Sequence, residues 1–275
     1  MIIDPKTIDY SKYKRFFTFG CSFTRYRWPT WSNILHQELH NVKKYYNIGL
    51  IASGNQLISN RITEIDLKYK FNETDLVMVM WSTFCREDRW VKERGWINTG
   101  SVWTQKEYDN EFIEKYSDAT GYVIRDMSLI TLSNNYLSNS KCDAIPMLSV
   151  PINHDFGRSI KNTIFEPTYR VAKNLYQPIV DSMPKSLQSV EFNNKWEVEH
   201  TYYNNYRGDP TVLQDDYHPG PIRYYQYLSK IGFNLSESTL KYAEKYNKIL
   251  RSSTQDPADR PEMNHSQSYE WVTVF

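Results

Sequence analysis

The chain has 275 residues, with 33 Lys and Arg set against 32 Asp and Glu for a formal charge of +1. That balance excludes a bulk electrostatic case for nucleic acid or an anionic membrane as partner. With 40% hydrophobic and 15% aromatic residues but only 10 Gly and 12 Pro, the composition is that of a packed globular protein, and it excludes a disordered or fibrous chain.

The length predicts one large α/β unit over residues 1–250, followed by a polar linker and a strand-like tail over 251–275, which ends SYEWVTVF. Cys21, Cys85 and Cys142 are odd in number and far apart, which argues against a disulfide framework and fits a reducing compartment. The longest strongly apolar stretch, Leu76 to Trp81, is far shorter than the roughly 20 residues of a spanning helix. Asp4 and Pro5 stand where a signal peptide would carry its apolar core. The expectation is a soluble, cytoplasmic protein.

Phe16 to Phe19, closed by Gly20, reads as a buried strand ending in a turn. Trp31, Ile34, Leu35 and Leu39 fall at helical spacing, so a helix is predicted to begin near Pro29 or Thr30. Tyr45 to Ile48 reads as a second strand, and Leu57, Ile58, Ile62 and Ile65 mark one face of a second helix. Asp75 opens LVMVMW, the continuous apolar run of a parallel strand buried on both faces. Ala144 to Val150 predicts a fourth strand, stopped by Pro151. Residues 82–141 and 153–216 break this rhythm and read as long insertions at the loop end of the sheet. A helix is predicted from Pro221 to Gly232, then a polar one over about Ser236 to Leu250. Strands alternating with helices predict right-handed βαβ units on a mostly parallel sheet.

Ser22 lies just past the first strand and ahead of a helix, in Phe16-Phe-Thr-Phe-Gly-Cys-Ser-Phe-Thr24. That is the carboxyl edge where open α/β sheets bind ligands, and helix amides there can stabilise an oxyanion. Near the other end, Asp215-Asp-Tyr-His218-Pro-Gly-Pro places a carboxylate three residues before a histidine, immediately ahead of a helix. A serine becomes a nucleophile when an imidazole takes its proton, and that imidazole needs a group to hold its tautomer. Asp216 is the alternative to Asp215 in that role.

In order and spacing these segments resemble the SGNH (GDSL-like) hydrolase family. Gly20-Cys-Ser22 stands where the family has Gly-Asp-Ser, and Asp215 and His218 match its DxxH pair. Asn47-Ile-Gly49-Leu-Ile-Ala-Ser-Gly54-Asn55 stands at the family's second block, with Gly54 preferred over Gly49 as oxyanion amide. The third block departs. Met80-Trp-Ser-Thr83-Phe84 has no asparagine, leaving Thr83, Asn55 or Arg86 to serve instead. The resemblance spans about a third of the chain. It implies a three-layer α/β/α sandwich of flavodoxin-like type, and a serine esterase that needs neither metal nor organic cofactor.

Other patterns are set aside. Gly20 to Thr24 lacks the second glycine of an α/β-hydrolase elbow, and Cys21 is expected to point into the fold. His36-Gln-Glu-Leu-His40 has Gln37 where a zincin has glutamate, so both histidines are read as solvated. Gly49 to Gly54 has P-loop spacing but is followed by Asn55 and Gln56. Arg86-Glu-Asp-Arg89 with Lys92, Glu93 and Arg94 reads as an exposed, charge-paired helix. Arg86 and His154 fall near the active edge, while Trp90, Trp96 and Trp103 are read as closing a core.

The leading expectation is an acyl hydrolase acting on a small-molecule or glycan ester, such as a carbohydrate O-deacetylase. Ser22, His218 and Asp215 would be its triad, and the amides of Ser22 and Gly54, with Thr83 or Asn55, its oxyanion donors. Nine aromatics lie in residues 81–122 and nine in 192–227, beside the presumed active edge, where they would form a stacking wall. The rival expectation is a catalytically impaired binding or assembly protein, for example a virion-associated one, joining its partner or itself through the tail.

Overall fold

The computed structural model describes residues 1–103, 108–150, 182–187, 199–202, 213–216 and 218–252, and gives only the backbone for 99, 120, 199–202 and 213–216. Four strands form the central sheet: β1 (Arg15–Gly20), β2 (Lys44–Asn47), β3 (Asp75–Trp81) and β6 (Asp143–Leu148). Their order is β2-β1-β3-β6 and every pairing is parallel. Gly20 lies opposite Met80, and Trp81 opposite Leu148.

The period of two along these strands sorts their side chains into two cores. Phe17, Phe19, Tyr46, Val77, Val79 and Trp81 pack with Ile58, Ile62 and Ile65 of α2 (Asn55–Tyr69) and Ile130 and Leu137 of α4 (Ala119–Asn139). On the opposite face, Phe16, Tyr45, Leu76, Met78 and Met80 pack with Ile34 and Leu35 of α1 (Trp31–His36). Tyr224, Tyr227 and Leu228 of α5 (Pro221–Ile231) and Ala243 of α6 (Glu237–Ser252) complete that face. The result is a three-layer α/β/α sandwich, in which central β3 is apolar from Leu76 to Trp81 because both its faces are covered.

Polar groups fix the far end of the sheet. Arg15 at the start of β1 grips Asp75 at the start of β3, its Nε donating to Oδ1 at 2.7 Å. Its Nη atoms also donate to the Tyr69 and Lys70 carbonyls at the end of α2. The C-terminus of α5 is closed by Gly232 in the left-handed region, φ +112°.

Three sequence expectations change. The charged run from Arg86 is not a helix: β4 (Arg86–Val91) pairs antiparallel with β5 (Gly95–Ser101) around a turn holding Lys92, Glu93 and Arg94. Glu87 and Asp88 are buried there, so their charges are satisfied inside, and the run no longer reads as a solvated face. The stretch 82–141 is also more than decoration. After α3 (Asn110–Tyr116), its 21-residue α4 is the crossover helix that carries the chain from β3 to β6. His36 is not solvated either, since its ring stacks on Tyr45 at 4.5 Å, with Phe16 stacked 5.2 Å from the same tyrosine, and burial lowers its pKa to about 4. His40 is exposed as expected.

A hairpin of β7 (Glu199–Tyr202) and β8 (Leu213–Asp216) aligns His200 with Asp215. His154, and the tail beyond Ser252, lie outside the described residues. No helix among the described residues is long and apolar enough to cross a membrane.

Candidate active site

The connection from β1 leads through α1 to β2 on one side, and the connection from β3 leads through α4 to β6 on the other. The loops leaving β1 and β3 therefore part, which opens a crevice at the carboxyl ends of these two strands. Ser22 follows β1 into that crevice, and Ser82 and Thr83 follow β3.

The turn carrying Ser22 is tightly made. The Thr24 and Arg25 amides both donate to the Cys21 carbonyl, at 2.9 and 3.2 Å. The Thr24 carbonyl in turn accepts from Thr30 Oγ1, Ser32 Oγ and Asn47 Nδ2, at 2.6, 2.9 and 3.0 Å. Gly20 is needed because a Cβ there would meet Thr24 Oγ1 at 2.0 Å and the Met80 carbonyl at 2.8 Å. Cys21 points inward and is buried. Ser22 is also buried, and neither its amide nor its hydroxyl is hydrogen-bonded among the described residues.

His218 is brought to the same turn. Its ring stacks on Tyr26 with centroids 3.7 Å apart and planes 16° from parallel, and lies 5.2 Å from the ring of Phe23, the neighbour of Ser22. Trp28 Nε1 donates to the Pro219 carbonyl at 2.8 Å, and Gly220 then opens α5. Two segments almost 200 residues apart in sequence are thus joined by ring contacts and a buried hydrogen bond. Asp215 and Asp216 end strand β8, and their side chains lie outside the described residues.

The four residues expected to bind substrate have definite partners. The Gly54 amide donates to Asp88 Oδ1 at 2.9 Å, and the Leu57 amide donates to Asp88 Oδ2 at 3.0 Å. The α2 N-terminus is therefore capped by a carboxylate from β4, and burial raises the pKa of Asp88 against the pull of these two amides. Asn55 is wholly buried and pairs with the Ser82 backbone, accepting its N–H at 2.8 Å and donating to its carbonyl at 3.2 Å. It also donates to Asp126 Oδ2 at 3.2 Å. Thr83 Oγ1 accepts from Arg86 Nε at 2.9 Å, and Arg86 Nη1 donates to the Ser53 carbonyl at 2.9 Å. Of these four, Thr83 and Arg86 keep side-chain protons to give, the hydroxyl of Thr83 and the remaining Nη hydrogens of Arg86.

Around them lies an ionic network that no motif announced. Arg125 of α4 donates to Asp126 Oδ1, to Glu87 Oε2 and to the Arg86 carbonyl, at 2.9, 3.0 and 2.6 Å. Glu87 also accepts from Tyr122 Oη and Arg89 Nε, each at 2.6 Å. Burial raises the pKa of Asp126 from 3.8 to about 6. Beside the network, a cleft of about 350 Å³ is lined by Phe112, Tyr116, Tyr122, Arg89 and Glu87. Trp90 and Trp103 are exposed, so they do not close a core as their size suggests. No cluster of three potential metal ligands occurs among the described residues.

No family model matches the chain, and no curated protein matches it. Among solved structures, one similar chain is a member of the lipolytic protein G-D-S-L family from Veillonella parvula, with 16% identity over 78% of this chain and 94% of that one and a TM-score of 0.40. A second, from the same family in Desulfitobacterium hafniense, has 14% identity over 80% of this chain and 95% of that one, again with a TM-score of 0.40. Likeness of that size leaves the fold to be read from this chain's own sheet, and the chemistry from its own crevice.

Proposed function

We propose that the chain is a serine ester hydrolase of SGNH type, with Ser22 as nucleophile, His218 as base and Asp215 as the group that orients the imidazole. What carries the reading is the fastening of the His218 segment onto the Ser22 turn at the crevice between β1 and β3. In acylation Ser22 Oγ bonds to the ester carbonyl carbon while its proton passes to His218. The bond to the alcohol then breaks as His218 returns that proton to the leaving oxygen. Water next attacks the acyl carbon, gives its proton to His218, and releases the acid as Ser22 recovers its hydrogen.

The oxyanion donors of this reading are the Ser22 amide and the Thr83 hydroxyl. Gly54 and Asn55 drop out of that role, because Asp88 and Ser82 already hold their donors. A missing donor costs about 10²–10³ in rate, so turnover is expected to be slow. Hydrolysis of p-nitrophenyl acetate and covalent labelling by a fluorophosphonate test the reading. Ser22→Ala is expected to abolish labelling and to lower kcat by at least about 10³-fold. Equal rates for wild type and Ser22→Ala, with no label on Ser22, would sink it.

A glycan ester is the substrate class this reading favours, because the cleft that Tyr116 lines with Phe112 presents the exposed Tyr116 ring as a stacking face. Tyr116→Ala is expected to raise KM about 5- to 10-fold for an acetylated oligosaccharide, the loss of one stacking contact, and to leave p-nitrophenyl acetate unaffected. An equal change on both substrates removes the glycan assignment.

The internal engagement of Gly54 and Asn55 favours one rival: a binding or assembly protein built on this fold, cytoplasmic or virion-associated, with the tail over 251–275 as its contact. Deleting that segment then changes mass in solution or partner binding. An unchanged mass and unchanged binding would remove the rival.

A further inference from the structure

We infer that Tyr26, braced by Trp28, is the positioning residue that sets the plane of the His218 imidazole. The inference rests on the hydrolase reading insofar as it gives His218 the role of base. A general base works through a lone pair in the plane of its ring, so rotation of that plane takes the lone pair away from the serine proton even when the ring stays in place. A hydrogen bond to one ring nitrogen restrains that rotation along one edge. A flat stack restrains it over the whole face.

The geometry supplies such a stack. Tyr26 lies 16° from parallel with His218 at 3.7 Å, close to direct face contact. Tyr26 is itself held by Trp28, whose ring meets it edge-on at 4.7 Å and 87°, an arrangement that aromatic quadrupoles favour. Trp28 is fully buried, and its Nε1–H fixes the carbonyl of Pro219, the residue after His218. One unit therefore holds the backbone beside the histidine and the face of its ring. Phe23 meets the same ring at 5.2 Å and 48°, which limits swing away from Tyr26. Because Phe23, Tyr26 and Trp28 all belong to the segment that follows Ser22, a shift of the nucleophile turn carries the base with it. The spacing of nucleophile and base is thus set within one short stretch of chain.

Wild type, Tyr26→Phe and Tyr26→Leu separate this role from plain stability. Tyr26→Phe keeps the ring face, and its kcat and rate of Ser22 labelling are expected to stay within about twofold of wild type. Tyr26→Leu keeps bulk without a face, and kcat is expected to fall about 10- to 10²-fold with KM little changed, the cost of a misaligned group. Proton NMR reads the stack directly: the His218 ring C–H signals should lie upfield in wild type and Tyr26→Phe, and return toward those of a free histidine in Tyr26→Leu. Wild-type kcat in Tyr26→Leu, an equal loss in Tyr26→Phe, or unshifted His218 signals in wild type would overturn the inference. A wild type with neither turnover nor labelling overturns the hydrolase reading instead, and the His218 signals then decide the clamp without it.

Discussion

Gly20 joins backbone geometry to the candidate site within one residue. A methyl group there would overlap Thr24 Oγ1 and press on the Met80 carbonyl, and neither can yield, because the Thr24 carbonyl is held by three donors and Met80 is within β3. Gly20→Ala is expected to cost about 2–3 kcal/mol, as overpacked sites do, and to lower the urea midpoint accordingly; an unchanged midpoint would show that the turn relaxes freely. Asp126 gives a second residue-scale prediction. Its pKa rises from 3.8 to about 6 on folding, chiefly through burial. Between these values Asp126 binds more protons in the folded chain than in the unfolded one, so its contribution to stability falls as pH rises from about 4 to 6 and stays lower above that, by about 2–3 kcal/mol, against an opposite slope from buried His36. Urea unfolding at pH 4, 5, 6 and 7 should show that slope in the difference between wild type and Asp126→Asn; parallel profiles would refute it. At this scale the turn after β1 and the start of α5, which carry Ser22 and His218, were legible because each has local punctuation, a glycine after a strand and a Pro-Gly-Pro helix start. The internal hydrogen bonds of Gly54 and Asn55 were not legible. Their partners Asp88 and Asp126 lie 34 and 71 residues away in sequence, and no local pattern carries that information.

At the scale of elements, the N-terminus of α2 depends on the β4–β5 hairpin. Asp88 accepts the two amides that a helix start leaves open at Gly54 and Leu57. Asp88→Ala leaves both donors buried and unpaired, and is expected to cost about 2–3 kcal/mol. Asp88→Asn retains an acceptor and removes a carboxylate that burial disfavours, so its cost should be smaller, about 1 kcal/mol. Chemical denaturation of the two variants checks the ranking, and equal losses would mean that charge rather than acceptor geometry holds the cap. The same hairpin shows why charge spacing misled. Arg86, Glu87, Asp88 and Arg89 look like one solvated face, yet Glu87 is enclosed by Tyr122, Arg125 and Arg89. A buried ion matched by distant partners looks the same in sequence as a surface ion. The strands were legible for the opposite reason: an unbroken apolar run such as Leu76 to Trp81 has few places to go except a sheet covered on both faces.

For the whole molecule, the sheet divides one chain into two cores that share all four of its strands. Ile62 belongs to the core under α2 and α4, and Leu228 to the core under α1, α5 and α6. Each core touches the other only through strands whose alternate side chains point opposite ways, so a cavity on one face has no side chain in common with a cavity on the other. Ile62→Val is expected to cost about 1 kcal/mol and Leu228→Ala about 3 kcal/mol. Their sum should hold in the double variant to within about 0.5 kcal/mol, as it does for sites without shared partners. Unfolding should nonetheless remain a single transition, because losing either helical layer exposes the apolar face of the same four strands. The two outcomes test different things. A coupling well above 0.5 kcal/mol would mean that strain passes through the sheet, so that the helices behind β3 and the Ser22 turn ahead of it respond to one another. Two separate transitions would mean that one layer melts alone, and the layer packed by Tyr224 and Tyr227, whose helix follows directly on His218, would be the one to watch. With α5 loosened, the Pro219 carbonyl leaves Trp28 and His218 leaves Tyr26. Loss of the shifted His218 proton signals before global unfolding would then report that step.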